Sequence, residues 1–382
     1  MPFRFLCFLL AAMLLASPLR AEEPRGPDAV ENPQSPLMLA GDWVPEDPGK
    51  IAFAKLPRVP SKHVVVSDVS RAVYPRKELE PQVGGVNQHN YLAHFAGKYW
   101  LIWSDGPGHE DRAGQRVSFS VSEDALNWSE PRFLTPEPPG SGVGTPHYGI
   151  RTEKGFRYIA RGLWQRGEEL YALAALDEAG GFFGPSVALH AFRLNPAEET
   201  WTDLGPIARN SVNNFPPKLL PDGKWMMSSR PHDYKTTGVE FLIGGVEAID
   251  SWESFPVLGS SSELSAEEPF WWILPDGNLA ALFRDNRRSG RLYRSFSTDS
   301  GRTWSKPVKT NFPDATSKLF GLRLTSGSYA LISNANPQKR DPLVLSLSSD
   351  GLVFPRTLYL VGDRPVAYPH AIEPEGNLIV TF

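Results

Sequence analysis

Residues 297–304 read Ser-Thr-Asp-Ser-Gly-Arg-Thr-Trp, a pattern that constrains its backbone more tightly than any other stretch of the chain. Ser and Asp at that spacing fold back onto the turn's own N–H groups. The glycine takes a left-handed conformation that other residues resist, and the tryptophan plugs the gap beside a neighbouring sheet. Two shortened copies follow the same plan. Ser122, Asp124 and Trp128 keep three of the key positions, while Ser348, Asp350 and Gly351 do so with Phe354 in place of the tryptophan. A hairpin plug that recurs within one chain marks a repeat architecture of antiparallel sheets.

From about residue 62 the chain runs as short strands, Gly- or Asp-containing turns and spaced tryptophans, without helical periodicity. Hairpins recur roughly every fifty residues, over 91–103, 148–162, 215–230, 270–284, 317–334 and 368–382. Their turns include Ala96-Gly97-Lys98, Glu153-Lys154-Gly155, Pro221-Asp222-Gly223, Pro275-Asp276-Gly277 and Pro374-Glu375-Gly376. The expected fold is therefore all-β, a six-bladed β-propeller over residues 61–382. The sixth hairpin stops at the end of the sequence, so its blade is expected to borrow residues 64–69 and latch the ring. Residues 22–60, rich in Pro, Glu and Gly, read as an extended leader draped over the propeller.

The first 21 residues have the form of an export signal. Arg4 is the positive end, residues 6–15 the apolar run and Ala21 the small residue before a cut ahead of Glu22. The run is too short to span a membrane. Cys7, the single cysteine, falls inside it, so disulfides and thiol chemistry are excluded from the mature chain and a periplasmic or extracellular setting is expected. The formal charge of −4 becomes more negative without Arg4 and Arg20. With no basic runs either, nucleic acid is a poor partner. No apolar surface helix offers an interface, so a monomer is expected.

Propeller geometry brings the starts of first strands and the ends of second strands to one face. The starts supply Gln88, His89, Asn90, His147, Tyr148, Asn213, Asn214, Glu267, Glu268, Lys318, Tyr368 and His370; the ends supply Asp105, Arg161, Arg230, Arg284 and Asn334. So dense a polar ring points to a ligand.

With its repeated Ser-x-Asp plugs, the chain resembles the sialidase-like superfamily of Asp-box propellers over roughly residues 85–382. The run from Glu268-Pro269 through Arg284-Asp285-Asn286 looks like the blade in which a Glu opens the inner strand and an Arg closes the next. Arg340, ahead of the third plug, looks like a second substrate arginine, Tyr368 sits where these enzymes keep a nucleophilic Tyr, and Glu110-Asp111 falls near their catalytic acid, Asp111 being the residue of the matching type. The resemblance implies an exo-glycosidase acting on a terminal acidic sugar. Tyr368 would attack, Glu268 would take the phenol proton, and Asp111 would protonate the leaving oxygen. Arg284 and Arg340 would grip a carboxylate. A neutral nucleophile suits a substrate that already carries an anion at the reacting carbon.

One departure stands out. The first blade of these enzymes begins with Arg-Ile-Pro, and here Asn87-Gln88-His89-Asn90 stands instead. Arg161 or Arg230 could replace the missing arm. Two other readings stay open: a lyase or rhamnosidase-type enzyme working through His89, His147 or His370, and a propeller that binds glycan without turning it over. No short metal-ligand motif accompanies the histidines, so neither metal nor cofactor is expected.

Overall fold

The computed structural model describes residues 39–67, 86–106, 113–139, 155–179, 183–233, 238–258, 264–364 and 366–382. Five sheets each contain four antiparallel strands in chain order. The first is β1 (Val86–Phe95), β2 (Lys98–Gly106), β3 (Arg116–Ser122) and β4 (Arg132–Phe133). The second is β5 (Phe156–Arg166), β6 (Glu169–Glu178), β7 (Ala188–Asn195) and β8 (Thr200–Arg209). The third is β9 (Lys218–Leu219), β10 (Trp225–Ser229), β11 (Val239–Gly244) and β12 (Trp252–Leu258). The fourth is β13 (Ala266–Ile273), β14 (Leu279–Asp285), β15 (Arg291–Ser297) and β16 (Val308–Pro313). The fifth is β17 (Phe320–Arg323), β18 (Tyr329–Ser333), β19 (Leu343–Ser348) and β20 (Arg356–Val361). A two-stranded sheet, β21 (His370–Ile372) and β22 (Ile379–Thr381), lies between β17 and β1 and completes the ring of an all-β propeller.

An aromatic belt shows how the inner strands are registered around the axis. Phe215 and Phe270 meet edge-on at 4.9 Å, and Phe270 meets Phe320 at 5.4 Å. Phe320 then meets His370 at 4.3 Å, and His370 meets Tyr91 at 5.4 Å. Leu163 holds the same register in the second blade, buried among the first blade's core residues. Each belt residue lies two positions after a polar or charged one: His89, Arg161, Asn213, Glu268, Lys318 and Tyr368. A layer of polar groups therefore rests on an apolar layer, one group per blade.

That register corrects the second hairpin. Residues 153 and 154 of the expected turn lie outside the described residues, and the described hairpin is β5 paired with β6 across Gly167-Glu168. Arg161 thus belongs to an inner strand rather than to the end of a second one. Of the expected closing strand at 64–69, residues 64–67 form no strand, and 68–69 lie outside the described residues. Val66 packs instead against the cluster of Leu92, Leu101 and Trp103, which Ile372 and Ile379 also cover, and Asn87 donates to Ser67 Oγ at 3.0 Å.

The three plugs form as their side chains require. In the complete one, Ser297 donates to Asp299 at 2.8 Å, and Asp299 Oδ1 accepts from the N–H groups of Arg302 and Thr303. Trp304 Nε1 donates to Gly301 O at 2.9 Å, and its ring lies against Phe241 of the neighbouring blade at 4.8 Å. Trp128 repeats the bond with Ala125 O at 3.1 Å. Phe354 cannot, and the corresponding carbonyl, Gly351 O, accepts instead from Trp272 Nε1 of the fourth blade at 3.2 Å. The lost local bond is replaced by one between blades.

The segment before the propeller packs along its outer edge. Leu39 and Ala40 are fully buried in the largest apolar cluster. Asn311 Oδ1 accepts from both of their N–H groups, at 3.0 and 2.9 Å, and Asn311 Nδ2 donates to Ala40 O at 3.2 Å. Further on, Val59 N–H donates to Tyr359 O at 3.0 Å, extending the outer strand β20.

Two outcomes follow for stability. Gly301 has φ +85°, and a Cβ there would collide with Met226 Sδ. Gly301→Ala should lose about 1–3 kcal/mol, read as a lower urea midpoint at unchanged slope. Asn311→Ala should release residues 39–40, giving fast amide exchange there while the exchange of β14 stays slow.

Candidate functional site

Three inner strands deliver their polar residues through β-bulges. Register shifts occur between Gln88 and Tyr91, between Ala160 and Gly162, and between Glu267 and Phe270. The inner-strand residues left without a register partner are His89 and Asn90, Arg161, and Glu268 and Pro269. His89 and Glu268 have φ 54° and 47°, and Tyr368, just before β21, has φ 57°. Non-glycine residues in this region cost about 1–2 kcal/mol each. Such strain on one face of the ring marks a site where side-chain direction matters more than backbone comfort.

The bulge at Glu268 has a specific consequence. Successive side chains of a regular strand point to opposite faces, yet Glu267 and Glu268 both bind arginines of this site. Arg230 Nη1 donates to Glu267 Oε2 at 2.6 Å, and Arg284 Nη1 to Glu268 Oε2 at 2.6 Å. Asn214 accepts from Arg230 at 2.6 Å and donates to Glu268 Oε1 at 3.1 Å. Asn286 accepts from Arg284 at 3.0 Å and donates to Glu267. All four charges are buried. Burial disfavours ionisation of Glu268, but Arg284, Arg230, Lys318 and Arg340 outweigh it and hold the carboxyl below its usual range. Burial likewise opposes the charge on Arg284, and Glu268 and Glu267 keep it protonated.

Tyr368 borders this cluster. Its hydroxyl accepts from Arg340 Nη1 at 3.3 Å, while Arg340 Nη2 donates to Thr316 O at 3.0 Å. The His89 ring stacks on the Tyr368 ring at 4.9 Å. Lys318 lies beneath, fully buried, and its Nζ donates to the Tyr91 hydroxyl at 3.1 Å. The ammonium sits 4.4 Å from the Tyr91 ring centre and 5.6 Å from that of Tyr368, where cation–π attraction offsets part of its desolvation. Burial still pushes Lys318 down to about 7. Burial pushes Asp314, beside Arg284, up to about 7.

The expected site residues separate as follows. Glu268, Arg284, Arg230, Tyr368, Arg340, His89 and Arg161 converge on this mouth. His370 sits one layer lower, in the aromatic belt. Its Nδ1 accepts from Leu92 N–H at 3.2 Å, and burial pushes it down to about 3, which leaves it a neutral structural group. Asp111 and His147 lie outside the described residues. Asn334 braces two blades, donating to Val366 O at 2.8 Å. The bridging roles of Asn214 and Asn286 depend on partners 16 or more residues away, apart from Asn286's bond to Arg284, whereas Asp314 also accepts locally from Ser317 N–H.

Residues 101–380 match the family described as BNR repeat-like domain. No curated protein matches the sequence. The fold is similar to the intramolecular trans-sialidase of Ruminococcus gnavus, solved with oseltamivir carboxylate, at TM-score 0.61 and 13% identity over 77% of this chain and 89% of that one. It is also similar to the leech intramolecular trans-sialidase, solved with 2,7-anhydro-Neu5Ac, at TM-score 0.63 and 12% identity over 77% of this chain and 64% of that one. A protein of unknown function from Dyadobacter fermentans gives TM-score 0.60 and 15% identity over 78% and 90%. At such identities the likeness speaks for the fold. With the family match spanning most of its length, this chain belongs to the BNR repeat-like domain family, on a sialidase-like propeller.

Proposed function

We propose that the protein is an exported glycoside hydrolase that removes a terminal acidic sugar, with Tyr368 as nucleophile and Glu268 as its proton acceptor. The observation that carries this reading is the convergence of the Tyr368 hydroxyl, Arg340 and the Glu268–Arg284 pair on one mouth, from three different blades. The Arg340 cation, 3.3 Å from the phenol oxygen, stabilises negative charge developing there during proton removal. Glu268, kept ionised by its surrounding cations, is able to accept a proton near neutral pH. Arg284 and Arg340 are fixed by other contacts before substrate arrives, so gripping a carboxylate costs little reorganisation. Asp111 is assigned the acid/base role from its place in the first blade's loop.

A purely binding function is the second reading. It is favoured by the full engagement of Glu268, whose two carboxylate oxygens are already taken by Arg284 and Asn214.

Hydrolysis of a fluorogenic α-sialoside by the purified protein distinguishes the two. The expected outcome is turnover that falls at least ~10³-fold in Tyr368→Phe while the melting temperature is retained. Binding of the sialoside without turnover would leave only the second reading. The pH profile gives a further check. Lys318 is one of the cations that lower Glu268, and it is charged below about 7. Lys318→Met removes a term that favours the carboxylate, so the acid limb of kcat/KM should move to higher pH.

A further inference from the structure

Among the described residues, Arg161 has no acid at hydrogen-bond distance. It is 1% exposed, and its Nε has no hydrogen-bond partner among those residues. The acids near it are committed elsewhere. Asp177 takes the fork of Arg157, at 2.9 and 3.0 Å, and Glu268 is held by Arg284 and Asn214. Burial pushes Arg161 down to about 10, so the folded protein bears a desolvation cost there that it does not recover. The nearest cushions are aromatic: the Phe183 ring lies 5.8 Å from the guanidinium. Close by, His89 Nδ1 is also buried without a partner among the described residues, and burial, then the charge of Arg161, disfavours protonation of His89.

The bulge at Arg161 puts this guanidinium in the same layer as Glu268 and Tyr368, in the second blade of the ring. Arg340 extends from the fifth blade, three positions around, where Tyr368 and Thr316 O hold it. We propose that Arg161 and His89 form a second oxyanion subsite, across the mouth from Arg284 and Arg340, so that the glycan taken here presents two acidic groups. Each is a carboxylate or a sulfate ester. The first docks against Arg284 and Arg340, and the second against the unspent donors of the first and second blades. This assignment rests on the reading of the mouth as an acidic-glycan site, but it concerns binding and stands apart from turnover.

The test is equilibrium dialysis with labelled sulfate at low ionic strength, alongside thermal melts. Wild type should bind two equivalents, Arg161→Met one, and Arg340→Met the other one. Arg161→Met should melt at the same temperature as wild type or higher, because the substitution removes a buried unpaired cation. A single equivalent lost in both variants would mean one shared clamp and would overturn the proposal, as would unchanged binding in Arg161→Met. If Arg161→Met fails to fold, Arg161→Lys decides, because lysine keeps the charge and loses the fork. Its second equivalent should weaken at least about tenfold, and wild-type affinity would overturn the idea. Displacement of that equivalent by glucuronate marks a carboxylate and by galactose 6-sulfate a sulfate ester; displacement by neither overturns the glycan assignment. Absence of sialoside hydrolysis has no bearing on these counts.

Discussion

The buried mesh of Glu267, Glu268, Arg230 and Arg284 is the constraint on which the mouth depends. Taking four charges out of water is tolerable only because each finds an opposite charge and an amide at hydrogen-bond distance. Removing one member strands another and costs about 3–5 kcal/mol, far more than an exposed ion pair returns. The mesh also crosses a blade boundary, since Arg230 follows β10 and both glutamates lie on β13. It can form only because the bulge at Glu268 breaks the alternation of the strand. Backbone strain at one residue is thereby exchanged for two ion pairs.

Beneath the mesh the belt of Phe215, Phe270, Phe320, His370 and Tyr91 supplies a dry, close-packed floor. Low polarisability below strengthens every electrostatic interaction above. It also explains why Lys318 sits near neutrality while Glu268, a few contacts away, remains ionised. Among the described residues Lys318 has no acid at hydrogen-bond distance, only a phenol and π faces, whereas Glu268 has a guanidinium and an amide. The belt is what joins the last inner strand to the first, through His370 and Tyr91. His370 is valuable there as a flat, neutral ring with one acceptor nitrogen for the Leu92 N–H, which is why a histidine that invites an acid–base role in the sequence is a structural one in the fold.

Local chemistry was the legible part. The plugs at Ser297, Ser122 and Ser348 announce themselves because the Ser and Asp hydrogen bonds that fold their turns fall within a few residues, and the turns at Asp222 and Asp276 mark their hairpins for the same reason. The second blade misled because Glu153-Lys154-Gly155 is as good a turn signal as Gly167-Glu168, and a turn does not say which strand faces the axis. That requires the register of the whole ring, in which Arg161 aligns with Glu268 and Tyr368 by its bulge. The family pattern singles out Tyr368, Glu268, Arg284 and Arg340 as candidates, but not how they are wired. Which glutamate meets which arginine is decided by one left-handed residue, and Asn214 and Asn286 join the mesh through contacts that no spacing encodes.

The balance of charge at the mouth runs against that of the chain. The sequence carries a formal charge of −4, yet among the described residues Arg161, Arg230, Arg284, Arg340 and Lys318 gather around Glu267 and Glu268. Asp314, with its carboxyl near 7, adds little negative charge at neutral pH. Cations assembled in a buried layer repel one another and forgo hydration, so stability alone would favour apolar residues in some of these positions. On the proposed reading, an anion arriving from outside would offset that cost, and a cluster of guanidinium groups would reject neutral competitors that leave it unsatisfied. The same reasoning accounts for the strained backbone at His89, Glu268 and Tyr368. A fold that places one polar group per blade on a dry floor holds them rigid in the absence of ligand, and that rigidity makes three left-handed residues worth tolerating.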